Sequence, residues 1–391
     1  MTAQPAEPPT EAIALAEHGY QELAFWYPVL RLRELGAPVA VAAPAADETY
    51  MSTLGYPVIP DLDLAGAAAG EPGVLVVPGG EAGRRLAASA QAGPLVRGVL
   101  ERGQAVVITG DPAELAAVAG GADPAAGPAE VIACPSPDDL TSLVPALARC
   151  SGLSVPAEDH LRGMRILVLA ESQYQELELW YPVLRFREAG ADVVVASPAR
   201  GALYASKIGY PVRSDVSVEE IDPTDVDALI IPGGFAPEAM RRSQPLLDLV
   251  RKTYENGTIV AAICHAGWVL VSAGIARGRQ LTCVPIIRDD VISAGANYTD
   301  APVVRDGNLI TSRLPNDLPA FCAQIATALS ESPGRSGDGH SWPAATGRQS
   351  SAAYSVPAEL RMAPGGKATA NYRTISALAD SQTGGGRPGW Q

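Results

Sequence analysis

The chain is 391 residues long, 47% hydrophobic with few aromatics, and carries a formal charge of −14 at pH 7. Its length suits two domains with ordinary cores and a remainder. The acidic balance disfavours nucleic acid and anionic membrane as partners, because both reward basic footprints that displace counterions, and no apolar run approaches membrane-spanning length.

Residues 1–11 are polar and Pro-rich, with no basic region leading into an apolar stretch, and read as a disordered N-terminus without a secretory signal. Residues 12–150 show apolar runs at 13–16, 39–43, 74–77 and 105–109, separated by helical stretches, and the third run closes in Pro78-Gly79-Gly80. A linker, 151–162, follows. Residues 163–330 repeat that order, with runs at 166–170, 193–197, 228–231 and 259–263 and the same closure at Pro232-Gly233-Gly234. Short β-rich runs alternating with helices predict an α/β fold in each half, a mainly parallel sheet covered on both faces. Residues 331–391 are rich in Gly, Ser, Ala and Pro; they cannot bury enough apolar surface to offset ordering entropy and read as a disordered tail. Five cysteines, at 134, 150, 264, 283 and 322, are an odd and scattered set rather than a disulfide framework, and imply a reduced, cytoplasmic protein. Four histidines without clustered spacing give no reason to expect a metal, and no cofactor is expected.

The two halves are copies. At an offset of 154, residues 20–31 fall on 174–185, Gly55-Tyr56-Pro57-Val58 on Gly209-Tyr210-Pro211-Val212, and Val77-Pro78-Gly79-Gly80 on Ile231-Pro232-Gly233-Gly234. Repeats this long mean duplicated domains. After Gly120 the offset becomes 178, with Val131-Ile132 on Leu309-Ile310, so the first copy lacks 24 residues corresponding to the region 280–303. Where the second copy has Glu178, Glu238, Cys264 and His265, the first has Ala24, Arg84, Gly110 and Asp111. A site able to do nucleophilic and acid–base work is therefore expected in the second copy alone.

In Val260-Ala261-Ala262-Ile263-Cys264-His265-Ala266-Gly267 an apolar strand stops at a cysteine, and small residues lead into a helix. This is the layout of a nucleophile elbow. A helix N-terminus beneath the sulfur and the adjacent imidazole both favour thiolate, so Cys264 is expected to titrate well below the free-cysteine value of about 8.5. Pro232-Gly233-Gly234 lies at the carboxyl end of a predicted strand, the edge where doubly wound sheets bind ligands, and its glycines let backbone N–H groups approach a substrate. Glu178 has Leu177, Leu179 and Trp180 as neighbours, which leave little solvated surface; its carboxyl is expected to titrate high and to share a proton with a sulfur. Glu238, in Ala236-Pro237-Glu238, reads by itself as a first-turn acid favoured by the helix dipole.

Together, Glu176-Leu177-Glu178-Leu179-Trp180-Tyr181-Pro182, Gly209-Tyr210, Pro232-Gly233-Gly234-Phe235-Ala236-Pro237-Glu238, Ala262-Ile263-Cys264-His265, Ser272-Ala273-Gly274, Arg288-Asp289-Asp290 and Asp306-Gly307-Asn308 make residues 163–330 resemble the PfpI family. Its superfamily also holds the Parkinson-linked deglycase, glyoxalase III enzymes and class I glutamine amidotransferases. Residues 12–150 resemble the family in scaffold only. The resemblance implies two tandem flavodoxin-like domains, the first degenerate. It also implies Cys264 as nucleophile, His265 as general base or acid, Glu178 hydrogen-bonded to the sulfur, and the N–H groups of Gly234 and His265 as an oxyanion hole.

In PfpI-like hexamers the acid that orients the histidine comes from a neighbouring subunit, and its counterpart here is Glu238. A homo-oligomer is expected, with Glu238 exchanged between the active copies of two chains rather than its place being taken by Arg84. Departures from the family pattern are Val284, where several relatives have tyrosine, and Ala266-Gly267-Trp268 in place of Gly-Pro. The implied activity is on small reactive carbonyls, of glyoxalase III or deglycase type, in stress defence. The alternatives are an intracellular cysteine peptidase acting on peptides and a non-enzymatic redox-sensing scaffold. An amidotransferase is set aside because no His-x-Glu pair follows the cysteine, His340 preceding Ser341-Trp342, and a regulator because the tail lacks the apolar periodicity of a helix-turn-helix.

Overall fold

A computed structural model describes residues 11–144, 146–147, 155–156 and 159–332, and the chain divides into two units between Pro156 and Ala157. The polar N-terminus up to Thr10, Cys150, residues 151–154 and 157–158 of the linker and the tail from residue 333 lie outside the described residues, and with them the expectations of disorder at both ends. The last part of the linker packs on the second unit: Leu161 is buried and its N–H donates to Ala189 O at 2.9 Å.

In the first unit the strands are β1 (Ala12–Leu15), β2 (Val39–Ala43), β3 (Tyr50–Met51), β4 (Pro57–Val58), β5 (Leu62–Asp63), β6 (Val74–Pro78), β7 (Ala105–Thr109) and β8 (Val131–Ala133). Six of them form one parallel sheet in the order β5-β2-β1-β6-β7-β8, while β3 and β4 make a small antiparallel pair.

The second unit repeats this plan. Its strands are β9 (Arg165–Leu169), β10 (Asp192–Ser197), β11 (Leu203–Ala205), β12 (Pro211–Arg213), β13 (Val216–Ser217) and β14 (Ala228–Ile231), then β15 (Ile259–Ile263), β16 (Gln280–Leu281), β17 (Asn297–Tyr298), β18 (Val303–Asp306) and β19 (Leu309–Ser312). The main sheet runs β13-β10-β9-β14-β15-β19-β18 and is parallel except for β18, which is antiparallel to β19. Both units are thus doubly wound α/β folds, as the alternation of runs and helices predicts.

The central strands form because their residues suit burial on both faces. Ile259–Ile263 and Ala228–Ile231 are buried at every position, the pattern of a parallel strand covered by helices on both sides. Helix Glu176–Glu188 is buried from Glu176 through Phe186; Gln175 caps it by accepting the Glu178 N–H, and Arg185 and Arg187 complement its carboxyl end. The 24 residues missing from the first copy correspond to β16, a turn at Pro285–Ile287, helix Arg288–Ser293, β17 and the approach to β18. Without them the first sheet ends one strand earlier. Strand order reverses between β9 and β14, which opens a crevice at their carboxyl ends. Among the described residues no helix is long and apolar enough to cross a membrane.

Candidate active site

At the end of β15 the chain turns through Cys264 with φ 63°, in the left-handed region that a side chain adopts only at a cost of about 1–3 kcal/mol. A single turn, Cys264–Ala266, then enters helix Gly267–Ser272. The sulfur is thereby carried past the sheet edge beside the crevice. The end of β14 comes up against it: a Cβ on Gly233 would lie 2.7 Å from both Cys264 Cβ and Glu178 Oε2 and 3.0 Å from His265 N, so only glycine allows this approach. Gly234 has φ 78°, and a side chain there would press on Gln173 O and Gln175 N at 2.5 Å.

Glu178 is fully buried, and its Oε2 accepts the Gly233 N–H at 2.8 Å. Burial raises its pKa to about 8, against the opposing pull of that hydrogen bond and of the Lys207 charge, so the carboxyl is neutral at pH 7. Cys264 is 7% exposed. Burial first, and then the negative charge of Glu178, push its thiol well above the ordinary range; Lys207 and the N–H groups of Gly234 and His265 favour thiolate but do not prevail.

The expectation of a strongly acidic thiol is therefore overturned. The helix that follows the elbow has six residues and a correspondingly small dipole, while desolvation acts on the whole charge. Nor does the imidazole supply a cation. Burial, helped by Lys207, lowers the His265 pKa to about 4. The resting pair is a thiol and a neutral imidazole, with Sγ 3.3 Å from Nδ1.

Cys264, His265, Glu178 and Gly234 are thus brought together, and the N–H groups of Gly234 and His265 both face the sulfur. Glu238 is not among them. It lies on helix Ala236–Met240 with its side chain 62% exposed and paired with Arg242 at 3.2 Å. Sequence reasoning missed three side chains at the site. The His265 ring centroid lies 6.4 Å from that of Phe235 and 5.3 Å from that of Trp268, and Trp268 Nε1 donates to Asp290 at 2.7 Å. Lys207 acts electrostatically on Glu178, Cys264 and His265 alike. The signal was in the register between the copies, where Lys207, Phe235 and Trp268 face Thr53, Glu81 and Glu114.

In the first unit the equivalent place is filled from within. The Glu114 carboxylate accepts the Gly80 N–H at 3.1 Å and the Asp111 N–H at 3.3 Å. Gly80 and Asp111 stand at the offset of 154 from Gly234 and His265, so the chain's own carboxylate occupies the paired N–H groups. A Cβ at Gly110 or Gly79 would collide with Glu114, so the plug requires the loss of the cysteine. This unit has neither a nucleophile at the elbow nor an open N–H pair.

Among the described residues no group of three or more His, Cys, Asp or Glu side chains is placed to hold a metal ion, and Cys134, Cys264 and Cys283 are free thiols.

A doubly wound α/β unit with a cysteine on a strained elbow and a buried acid against the sulfur defines the class of protein. The profile of the DJ-1/PfpI family matches residues 11–118 and 164–328, and the chain belongs to that family, carrying its domain twice. A protein of Pyrococcus abyssi named a deglycase is 43% identical over 166 residues, which is 42% of this chain and 99% of that protein. "Protein/nucleic acid deglycase 2" of Escherichia coli is 39% identical over 159 residues, 40% of this chain and 92% of its own length. A Bacillus subtilis protein whose name proposes a cysteine protease is 40% identical over 157 residues, 40% of this chain and 93% of that protein. The crystal structure of Drosophila melanogaster DJ-1beta, 32% identical, covers 44% of this chain and 92% of that one, with a TM-score of 0.41.

Proposed function

We propose that the second unit is a cysteine-dependent enzyme acting on small reactive carbonyls, of the glutathione-independent glyoxalase III or deglycase type. The observation that carries this reading is the Cys264 sulfur on its left-handed elbow, 3.3 Å from His265 Nδ1 and packed with the wholly buried Glu178, whose pKa burial raises. As Sγ bonds to an aldehyde carbon, its proton passes to His265 Nδ1, and the carbonyl oxygen gathers charge before the Gly234 and His265 N–H groups. A neutral Glu178 does not repel that charge and donates a hydrogen bond to the sulfur. His265 returns its proton to the oxygen, giving a hemithioacetal.

With a 2-oxoaldehyde, the same imidazole then takes the proton on the former aldehyde carbon and delivers it to the neighbouring carbon, while the hemithioacetal hydroxyl gives its proton to the neighbouring oxygen and becomes the thioester carbonyl. The product is a 2-hydroxyacyl thioester. Water cleaves it, releasing a 2-hydroxy acid and restoring the thiol; dicarbonyl and water balance the acid without an oxidant. In the chain itself Glu238 is engaged with Arg242, so the acid that orients His265 in this scheme is Glu238 of a second chain. The deglycase names of the Pyrococcus and Escherichia relatives support the carbonyl reading.

The test is an assay of the purified protein with methylglyoxal and with casein, beside Cys264→Ser. Hydroxy acid from the wild type and none from the variant is the expected outcome. Casein cleavage without hydroxy acid makes the protein a peptidase. Oxidation of Cys264 with neither turnover makes it a redox scaffold.

A further inference from the structure

Around the His265 ring the second unit carries a rim of cationic and aromatic side chains that has no counterpart in the first. Lys207 Nζ stands 5.1 Å from the centroid of Phe235, whose ring lies 6.4 Å from that of His265. Arg241 Cζ lies 5.9 Å from the centroid of Trp268, whose ring lies 5.3 Å from that of His265. The first copy has Thr53, Glu81, Ala87 and Glu114 at the positions of Lys207, Phe235, Arg241 and Trp268, with neutral residues in place of both cations and acids in place of both aromatics.

The backbone fixes Lys207 in this place. Its N–H donates to Tyr174 O at 3.0 Å, and Tyr174 bridges both Ser206 and Gly234. The loop bearing the ammonium is thereby tied to the strand end that presents the Gly234 N–H. The residue type is informative too. Of 29 basic residues only Lys207, Lys252 and Lys367 are lysines, so a chain that otherwise relies on arginine has a compact ammonium beside its thiol. On a molecule of net charge −14, an anionic substrate needs such a local reversal of sign to approach.

We propose that Lys207 is a specificity-determining residue that binds a negatively charged group of the substrate, so that the preferred substrate is a 2-oxoaldehyde bearing a carboxylate or phosphate at its far end. The proposal rests on the reactive-carbonyl reading of the same site. With the aldehyde carbon at Cys264 and its oxygen before the Gly234 and His265 N–H groups, the rest of such a molecule runs over Phe235, which is 42% exposed, to the ammonium. For 4,5-dioxopentanoate the C–S bond forms and is later cleaved by water, the proton moves between adjacent carbons, and the product is 2-hydroxyglutarate.

Two measurements test it on the full chain, with Lys207→Met and Lys207→Arg beside the wild type. In turnover of 4,5-dioxopentanoate and its methyl ester, the wild type should favour the acid in kcat/KM by about tenfold or more. Lys207→Met should lose that preference mainly through KM of the acid, and Lys207→Arg should keep much of it. No preference in the wild type, or an equal fall in kcat on both substrates in Lys207→Met, would overturn the proposal. The second measurement needs no turnover. The ratio of Cys264 alkylation by iodoacetate to that by iodoacetamide should fall about tenfold in Lys207→Met and hold in Lys207→Arg. An unchanged ratio overturns the anion subsite, whereas a changed ratio in a protein that converts no dicarbonyl supports the subsite and removes the carbonyl reading.

Discussion

The Gly233 N–H meets Glu178 Oε2 at 2.8 Å, which leaves Oε1, buried and without a hydrogen-bond partner, as the oxygen able to bear the proton that burial keeps on the carboxyl. One backbone donor therefore decides which end of the carboxyl is the acid. Gly233 can make this contact because it has no Cβ: one would lie 2.7 Å from both Glu178 Oε2 and Cys264 Cβ, at the residue whose left-handed backbone forms the elbow. The strain at the elbow and the bare strand end belong to one arrangement.

A pH dependence of stability follows from the buried carboxyl. The folded pKa of Glu178, about 8, exceeds its ordinary value of 4.5, so the native protein holds a proton that the unfolded chain releases. The resulting contribution is complete below pH 4.5 and is lost as pH rises through about 8. Relative to Glu178→Gln, the wild type should lose up to about 5 kcal/mol across that window. Denaturant unfolding of both proteins at pH 5 and pH 8 measures it; parallel profiles would contradict a raised pKa. Dicarbonyl turnover by the variant should fall about a hundredfold.

One thiol per chain should react quickly, and only as pH rises. Burial pushes Cys134 and Cys283 up to about 12, and Cys322 is wholly enclosed, whereas Cys264 retains some exposure. A limiting amount of iodoacetamide should give one fast label, absent in Cys264→Ser. Because His265 is neutral down to about pH 4 and burial raises the thiol, the rate should still be climbing above about pH 8.5. A plateau below pH 7 would restore the acidic thiol that the sequence suggests.

The parts of this protein that were legible in its sequence are those where local pattern and burial coincide. The central strands are continuous apolar runs because both of their faces are covered, and their bounds fall within a residue or so of the runs. Cys264 was visible because a strand, a cysteine and small residues follow one another along the chain. The two-residue strands β3 to β5, β13, β16 and β17 are too short to show a period. Lys207 and Phe235 reach the site from separate turns, and Trp268 from the helix that follows the elbow, an assembly that only the fold makes. The thiol was misjudged because neither the depth of its burial nor the brevity of the following helix is visible in sequence.

In the first unit, Glu114→Ala should remove the acceptor for the Gly80 and Asp111 N–H groups and break the capping box between Asp111 and Glu114. A cost of about 1–3 kcal/mol to that unit is expected, with Cys264-dependent turnover preserved. Calorimetry that separates the two units, read beside the assay, checks both halves of the statement. Gly110→Cys alone should not create a second reactive thiol, because Glu114 already fills the space its Cβ would enter.

The last prediction concerns Glu238, which is exposed and paired with Arg242 rather than turned toward the imidazole of its own unit. The rings of Phe235 and Trp268 stand 6.4 and 5.3 Å from that of His265, and neither supplies a hydrogen-bond acceptor for its nitrogens. A carboxylate from another chain would provide one, and Glu238 is placed on the surface where it can be given away. If it is exchanged, Cys264→Ser chains and Glu238→Ala chains should each be weakly active or inactive, yet regain activity when mixed under conditions that allow subunits to exchange. A mixed site can then join the Cys264 of one chain to the Glu238 of the other. Sedimentation should show the active species to be an oligomer. A fully active monomer, or a mixture no better than its components, would mean that each chain completes its own site, and Glu238→Ala would then be expected to leave the alkylation rate of Cys264 unchanged.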